Sequence, residues 1–239
     1  TVRLHLGAYG DPVRLYRRLR QPVPYAALAC LPDEKNGQTW TLCFSPELFL
    51  NIRSDGLIAT EPMKGTAPIL NDGRDAERAA ALQSDPKNRA ENVMIVDLLR
   101  NDLGKIAQTG GVRVPEPFKV SPFGGVWQMT SRIEAQAKAG TSAADIFRAA
   151  FPCGSITGAP KRKSMEIIGT LETEPRGLYT GSIGHLEPCA GGLGFSGTLN
   201  VVIRTLQLSP SPPESDLPPY RAVYGVGSGI VADSDPESE

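Results

Sequence analysis

The segment EPMKGTAP, residues 61–68, places Lys64 in a stretch of extended character between prolines and a glycine. A primary amine is a nucleophile only in its neutral form, which removal from bulk water and a nearby cation both favour. A lysine held by such a restrained backbone is a candidate for covalent catalysis. The alternative is a buried lysine with a structural ion pair.

The segment ENVMIVDLLR carries a second candidate, Glu91. Its apolar spacing predicts a helix that begins at Asp85-Pro86 and ends near residues 101–104. We expect Glu91 to project from the buried face of this helix, together with Met94, Ile95, Leu98 and Leu99. A carboxylate on a buried face needs a partner because its desolvation is costly. Either a metal ion or an arginine would serve.

The segment CGSITGAPKRKSMEIIG, residues 153–169, leads into Pro160 and three consecutive cations, Lys161 to Lys163. Cations at a helix N-terminus oppose the helix dipole, whereas a bound anion would make the arrangement favourable. A carboxylate or phosphate ligand is therefore one reading of this segment, and three solvated cations are the other. The Walker spacing is absent.

The C-terminal segment YGVGSGIVADSDPESE joins a glycine-rich turn to an acidic end. Backbone amides at Gly227 and Gly229 can approach a ligand closely. The acidic residues could complete an oxygen-ligand magnesium site with Glu91, or could instead cap a helix.

Periodicity across the chain predicts strands in groups with interspersed helices, which favours one α+β domain. Helices are predicted near 12–20, 74–83, 86–104 and 142–150, and from Pro160 onward. Strands are predicted over 25–31, 39–53 with a break at Ser45-Pro46, 111–120, 124–136, 178–187, 192–208 and 220–232.

Composition restricts the class of partner. Lys and Arg number 25 against 26 Asp and Glu, which predicts no general attraction to nucleic acid or to an anionic membrane. No apolar run is long enough to span a bilayer, and the start lacks a signal-peptide layout. The four cysteines are scattered and there are only two histidines, which argues against a zinc site. The same cysteine pattern favours a reduced, cytoplasmic chain.

Five blocks together resemble the chorismate-utilising enzymes, which include anthranilate synthase component I, aminodeoxychorismate synthase component I, and the isochorismate and salicylate synthases. These blocks are SPELFL (45–50), EPMKGT (61–66), ENVMIVDLLRNDLG (91–104), FPCGSITGAPK (151–161) and GSGIVADSDPESE (227–239). The resemblance implies an anthranilate synthase component I-like α+β sandwich of two β-sheets flanked by helices, with the active site between the sheets.

The resemblance also implies roles for individual residues. Glu91 and Glu239 match the glutamates that hold Mg²⁺, which grips the ring carboxylate of chorismate, and Glu47 matches the carboxylate near the C4 hydroxyl. Tyr179 and Arg204 match residues that bind the enolpyruvyl carboxylate. Further substrate contacts are implied for Ser155, Gly227, Ser228 and Gly229.

Lys64 points to a subgroup, because anthranilate synthases carry alanine there, in P-I-A-G-T. Lysine is typical of aminodeoxychorismate synthases, in which the amine attacks C2 of chorismate as the C4 hydroxyl departs, and ammonia then adds at C4 and expels the lysine. The resemblance further implies a glutamine amidotransferase partner that supplies ammonia, and a role in p-aminobenzoate and folate synthesis. Anthranilate synthase component I, isochorismate or salicylate synthase, and a non-catalytic chorismate-binding relative are the alternatives.

Three features depart from the family pattern. Cys153 replaces a common glycine, which is tolerable where the backbone φ is negative. Gln128 replaces a histidine frequent in anthranilate synthases, which removes one acid/base group. We also expect residues 1–239 to be the chorismate-binding catalytic domain without the N-terminal part of the family and without its helix after Glu239.

Overall fold

The computed structural model describes residues 1–20, 22–33, 37–212, 217–230 and 234. Contacts divide the chain into two compact units. The first comprises Thr1–Pro46, Glu172–Gly181 and Val202–Glu239, and the second Glu47–Leu171 and Ser182–Val201. That residues 1–239 act as one catalytic domain stays a prediction. Within the described residues, no helix is both long and apolar enough to cross a membrane.

Helices and strands alternate along the described chain. The helices are α1 (Pro12–Leu19), α2 (Asp75–Ser84), α3 (Pro86–Gly104), α4 (Ala143–Ala150), α5 (Gly154–Thr157) and α6 (Lys161–Leu171). The strands are β1 (Val2–Ala8), β2 (Tyr25–Asp33), β3 (Gly37–Ser45), β4 (Leu48–Ile52), β5 (Leu57–Glu61), β6 (Met63–Pro68), β7 (Ala107–Phe123), β8 (Val126–Ala137), β9 (Gly184–Pro188), β10 (Phe195–Asn200), β11 (Thr205–Pro210) and β12 (Tyr220–Val226).

The first unit is an antiparallel sheet in the order β1-β12-β11-β3-β2, with α1 against it. Asp11 caps α1 by accepting a hydrogen bond from the backbone N–H of Arg14 at 2.8 Å, and Pro12 occupies the first turn. The ring of Tyr16 stacks on Phe44 with centroids 5.2 Å apart. This contact joins the helix to the sheet core.

The second unit is an antiparallel sheet in the order β6-β8-β5-β4-β10-β9, and β7 also pairs with β8. Strands β5 and β6 follow one another along the same partner, β8, with Pro62 between them. Because β8 fixes the register of both strands, it also positions the residues just after Pro62, which include Lys64.

Helix α3 covers this unit, but its buried face differs from the predicted one. The buried residues are Asn92, Ile95, Val96, Leu99, Asp102 and Leu103. Met94, predicted to be buried, is 41% exposed, and Glu91 is half-buried at the edge of the face. The prediction placed the apolar stripe about one residue off, because it gave no weight to the buried polar residues Asn92 and Asp102.

Three predicted strands are shorter in the part of the chain that the structure describes. The strand predicted over 178–187 begins only at Gly184, the one over 192–208 is interrupted between Asn200 and Thr205, and the one over 220–232 ends at Val226. The N–H of Val201 donates instead to the carbonyl of Glu47, at 3.1 Å, and that of Val202 to Gly181, at 3.0 Å.

A buried ion pair joins the end of α3 to the start of α6. The carboxylate of Asp102 is 1% exposed and pairs with the ammonium of Lys161. Lys161 also donates to the carbonyl of Ala150 at 3.0 Å. Removing one partner of such a pair leaves a charge in a poorly solvated site.

We therefore expect Asp102→Ala to lower the free energy of unfolding by about 3 kcal/mol, since it strands the Lys161 ammonium. The exposed pair of Asp97 with Arg100 on the same helix supplies the control, and Asp97→Ala is expected to cause no measurable change. Urea unfolding of both variants checks this. Equal losses would show that the Asp102 pair is no more important than a surface pair.

Candidate active site

Glu47 lies where the chain leaves the sheet of the first unit. Strand β3 ends at Ser45, and Pro46 has no N–H with which to continue a strand ladder. The carbonyl of Glu47 accepts from the N–H of Val201 in the second unit. The side chain of Glu47 is buried, with 4% exposed. The buried carboxyl thus directly follows the predicted break at Ser45-Pro46.

The buried carboxyl of Glu47 has three identified neighbours. The hydroxyl of Ser155 donates to its Oε1 at 2.6 Å, the backbone N–H of Met63 donates to it, and the charge of Lys64 acts on it. Burial raises the pKa of Glu47 and these three neighbours lower it, and the net result is a rise from 4.5 to about 7. A carboxyl with this pKa can give and take a proton at neutral pH.

Lys64 lies in an irregular part of β6. Met63 pairs with Thr130 and Thr66 with Gln128, so β6 holds one more residue than β8 over this stretch, as in a β-bulge. Gly65 adopts the left-handed conformation with φ +86, which glycine adopts without strain. The bulge holds Lys64 half-buried, as the restrained sequence predicted.

Two helices pack against the bulge. A Cβ at Gly65 would lie 2.9 Å from Oδ1 of Asn88 and 3.0 Å from Cδ1 of Leu82, so a larger residue would force these two side chains to move. Asn92 on α3 accepts a hydrogen bond from Ser131 at 2.6 Å, and the N–H of Ser131 donates to the carbonyl of Pro62 at 3.3 Å. The backbone before Lys64 is therefore tied to the helix that carries Glu91.

Ser155 reaches Glu47 from the first turn of the short helix α5. Gly154 lies against α3, where a Cβ would come 2.8 Å from Cδ2 of Leu98. Cys153 precedes the helix with φ −57, which confirms the prediction that a non-glycine residue is tolerated there. Its sulfur lies 3.1 Å from Oγ of Ser155. Burial, and next the charge of Glu47, raise the pKa of the Cys153 thiol to about 12.

Sequence reasoning missed two members of this group. The N–H of Met63 acts on Glu47, and no side-chain pattern reports a backbone donor. Cys153 was noted only as a departure from the family. The available signal was the position of Cys153 two residues before Ser155, because two residues with this spacing at the start of a helix can lie on the same side of it.

The three cations after Pro160 do not converge on an open site. Lys161 pairs with the buried carboxylate of Asp102, whereas Arg162 and Lys163 pair with the exposed Glu166. The anion that the sequence predicted beside Lys161 is thus a side chain of the protein itself. Arg162 and Lys163 follow the alternative reading of solvated cations.

In the first unit, Tyr179 and Gly227 come together. A Cβ at Gly227 would lie 3.1 Å from the hydroxyl of Tyr179, and a Cβ at Gly225 would collide with its ring. Burial raises the pKa of the Tyr179 phenol, while the charge of Arg176 opposes this. Tyr179 also lines a cavity of about 190 Å³ together with Arg3, Glu172 and Arg176.

Arg204 is exposed and has a left-handed backbone, with φ 51, and Thr180 beside Tyr179 has φ 64. Non-glycine residues keep this conformation only where their surroundings enforce it, which is common at functional sites. The N–H of Thr180 donates to the carbonyl of Val202 at 2.7 Å, and the carbonyl of Arg204 accepts from Phe44 at 3.1 Å.

Ser228 and Gly229 follow the end of β12 and are exposed. The roles predicted for them, and for Tyr179, Arg204 and Gly227, stay predictions.

Of the two predicted metal ligands, Glu91 lies within the described residues. Glu91 supplies carboxylate oxygens, the donors that Mg²⁺ prefers, and it is half-buried. Glu239 lies outside the described residues. Within the described residues, no group of three or more His, Cys, Asp or Glu side chains is placed to hold a metal, so these side chains do not by themselves form a donor set.

A wide cavity of about 340 Å³ lies elsewhere in the second unit. Its lining includes Arg53 and Asp55, which pair with each other on the surface, and His185. Because it contains neither Glu47 nor Lys64, it lacks the buried carboxyl and the amine of the candidate site.

Comparison with known proteins gives a consistent result. The family model described as chorismate binding enzyme matches residues 1–239. Aminodeoxychorismate synthase component 1 of Klebsiella aerogenes is 42% identical over 233 residues, which are 96% of this chain and 47% of that protein. Anthranilate synthase component 1 3 of Haloarcula marismortui is 41% identical over 240 residues, which are 99% of this chain and 44% of that protein.

The fold is similar to a solved structure, anthranilate synthase component I from Streptococcus pneumoniae TIGR4. The TM-score is 0.80 at 33% identity, covering 99% of this chain and 48% of that one. Together with the two antiparallel sheets and their helices, this confirms the predicted α+β, anthranilate synthase component I-like fold. The chain spans about half the length of the curated relatives it matches.

The raised pKa of Glu47 makes stability depend on pH. The folded state binds the Glu47 proton more tightly than the unfolded chain, so this stabilisation is complete below pH 4.5 and is lost as the pH rises through about 7. We expect Glu47→Gln, which cannot ionise, to gain stability relative to the unaltered protein between pH 5 and pH 8, by up to about 3 kcal/mol.

Urea unfolding of both proteins at the two pH values measures this difference, and the subtraction removes groups that titrate equally in both. A difference that stays constant with pH would show that Glu47 has an ordinary pKa.

Proposed function

The chain belongs to the chorismate binding enzyme family, and from this premise we propose that it carries the catalytic centre of an aminodeoxychorismate synthase component 1. The proposed reaction converts chorismate and ammonia to 4-amino-4-deoxychorismate and water. The single observation that supports it most is the buried carboxyl of Glu47, which has a pKa of about 7 and feels the charge of Lys64.

In the first proposed step, the neutral amine of Lys64 attacks C2 of chorismate. The C2–N bond forms, both ring double bonds shift by one position, and the C4–O bond breaks. Glu47 in its protonated form gives its proton to the departing hydroxyl, which leaves as water. A general acid is most effective when its pKa lies near the working pH, and burial places Glu47 in that range.

In the second proposed step, ammonia adds at C4 and the lysine leaves from C2. The Glu47 carboxylate can take the proton that the incoming ammonia loses, which returns Glu47 to its starting state. The covalent bond at C2 blocks the addition of ammonia there, and that addition would lead toward anthranilate. Lys64 therefore decides which carbon is aminated.

Sequence identity does not separate the two activities, because relatives named for each are 42% and 41% identical to this chain. The position of Lys64 does favour one of them. Its half-buried place in a β-bulge and its interaction with Glu47 suit a nucleophile better than a solvated surface residue. Anthranilate synthase is the second candidate, supported by the solved relative.

We further propose that Glu91 binds Mg²⁺ together with Glu239. When bound, the ion would neutralise and orient the ring carboxylate of chorismate. We also propose that the ammonia comes from a glutamine amidotransferase subunit. Relatives are named component 1, which supports the presence of another component.

The product assay incubates chorismate with the protein, Mg²⁺ and ammonium and analyses the mixture by mass spectrometry. We expect 4-amino-4-deoxychorismate without release of pyruvate. Lys64→Ala should lower C4 amination by roughly 10³-fold or more, or shift the product toward anthranilate with release of pyruvate. Lys87→Ala, on the exposed side of α3, serves as the control. An unchanged product in Lys64→Ala would exclude the proposed covalent role of Lys64, and release of pyruvate by the unaltered protein would exclude the proposed activity.

The metal proposal is tested by calorimetric titration with Mg²⁺ and without chorismate. Glu91→Gln should weaken binding by at least about tenfold, since it removes a charged ligand. Glu166→Gln, an exposed carboxylate paired with Lys163, should leave binding unchanged. Equal binding by both variants would remove Glu91 from the site.

A further inference from the structure

Three side chains form a row of close polar contacts, and the candidate proton donor Glu47 is one of them. Cys153 is 3% exposed and Glu47 is 4% exposed, and Ser155 lies between them. The distance from Oγ of Ser155 to Oε1 of Glu47 is 2.6 Å, and to Sγ of Cys153 it is 3.1 Å. The proposed function uses Glu47 but assigns nothing to the thiol.

Counting protons determines the direction of these hydrogen bonds. A serine hydroxyl has one proton and two lone pairs, whereas a carboxylate only accepts. The proton of Ser155 must therefore point to Glu47 when Glu47 is ionised. The contact with Cys153 is then a hydrogen bond only if the thiol donates to Ser155. Burial raises the pKa of the Cys153 thiol to about 12, so it keeps that proton at neutral pH.

We propose that Cys153 is a positioning residue that acts through Ser155, because its thiol donates to Oγ and so commits the single hydroxyl proton of Ser155 to Oε1 of Glu47. The proton that Glu47 transfers is then carried on Oε2. The reversed arrangement, with Glu47 donating to Ser155 and Ser155 to sulfur, is open only to protonated Glu47, because a carboxylate has no proton to donate. The catalytic meaning of this inference rests on the proposed function.

The charged groups that act on this row come from other elements. Lys64 acts on Glu47 from β6. Lys161 acts on Cys153 from the start of α6, and its ammonium is paired with Asp102. A change at Cys153 leaves all of these charges in place. The backbone N–H of Ser155 also donates to the sulfur of Cys153, so we expect the effect of a change at Cys153 on Glu47 to pass through Ser155.

The test is an NMR titration of the full chain labelled with ¹³C at the glutamate carboxyl carbon. Glu47→Gln identifies the signal of Glu47. We expect its midpoint to rise by roughly half a unit in Cys153→Ala and by roughly one unit in Ser155→Ala, since each change weakens or removes a hydrogen bond to the carboxylate. The double variant should match Ser155→Ala, because Cys153 acts only through Ser155.

Two further variants separate positioning from packing. Cys153→Ser restores a donor and should return the midpoint toward that of the unaltered protein. Cys43→Ala removes another buried thiol and should leave the midpoint unchanged. An unmoved midpoint in Cys153→Ala, or additive shifts in the double variant, would overturn the inference.

A Raman spectrum of the unaltered chain supplies a readout that does not depend on folding of the alanine variant. The S–H band that is absent from Cys153→Ser should have the lowered frequency of a donating thiol, and a band at the frequency of a free thiol would overturn the inference. Neither measurement requires turnover. Release of pyruvate in the product assay would therefore remove the proposed function without affecting the hydrogen-bond row, and an unmoved midpoint would overturn the hydrogen-bond row without affecting the proposed function.

Discussion

The site depends on one constraint, the burial of the Glu47 carboxyl beside the amine of Lys64. Charged carboxylates are poorly solvated in a protein interior, so burial raises the pKa of Glu47, and with its neighbours included the pKa is about 7. The Ser155 hydroxyl, the Lys64 charge and the Met63 N–H keep this rise moderate. With less burial the carboxyl would be ionised at neutral pH, and with fewer partners it would not release its proton. The surrounding structure maintains this balance.

Two parts of the second unit contribute to the balance by fixing the neighbours of Glu47. Strand β8 holds the register of β5 and β6 and so positions Met63 and the Lys64 bulge. The start of α5 brings Ser155 to 2.6 Å. Since these contacts join residues far apart in sequence, the proton affinity of Glu47 is a property of the folded unit rather than of the SPELFL segment.

Local signals in the sequence predicted the elements well and the contacts less well. Asp85 caps α3 at its predicted start, and Asp11 and Ser142 cap α1 and α4, because a cap is formed by neighbours in sequence. The buried face of α3 was wrong at Met94, since polar residues take part in that face. The partner of Lys161 is Asp102, which lies 59 positions earlier (161 − 102), and no local pattern indicates such a distant pairing. The family blocks identified Glu47, Lys64 and Ser155 as a group, but neither the N–H of Met63 nor the thiol of Cys153.

The most direct measurement is the mass of the protein after reaction with chorismate and Mg²⁺ in the absence of ammonia. Attack by the amine with loss of the C4 hydroxyl adds the mass of chorismate less one water, and without ammonia the adduct should accumulate. The account predicts that digestion places this added mass on Lys64 and that Lys64→Ala shows none. An adduct on another residue, or turnover of chorismate and ammonia to the aminated product by a protein lacking Lys64, would contradict it.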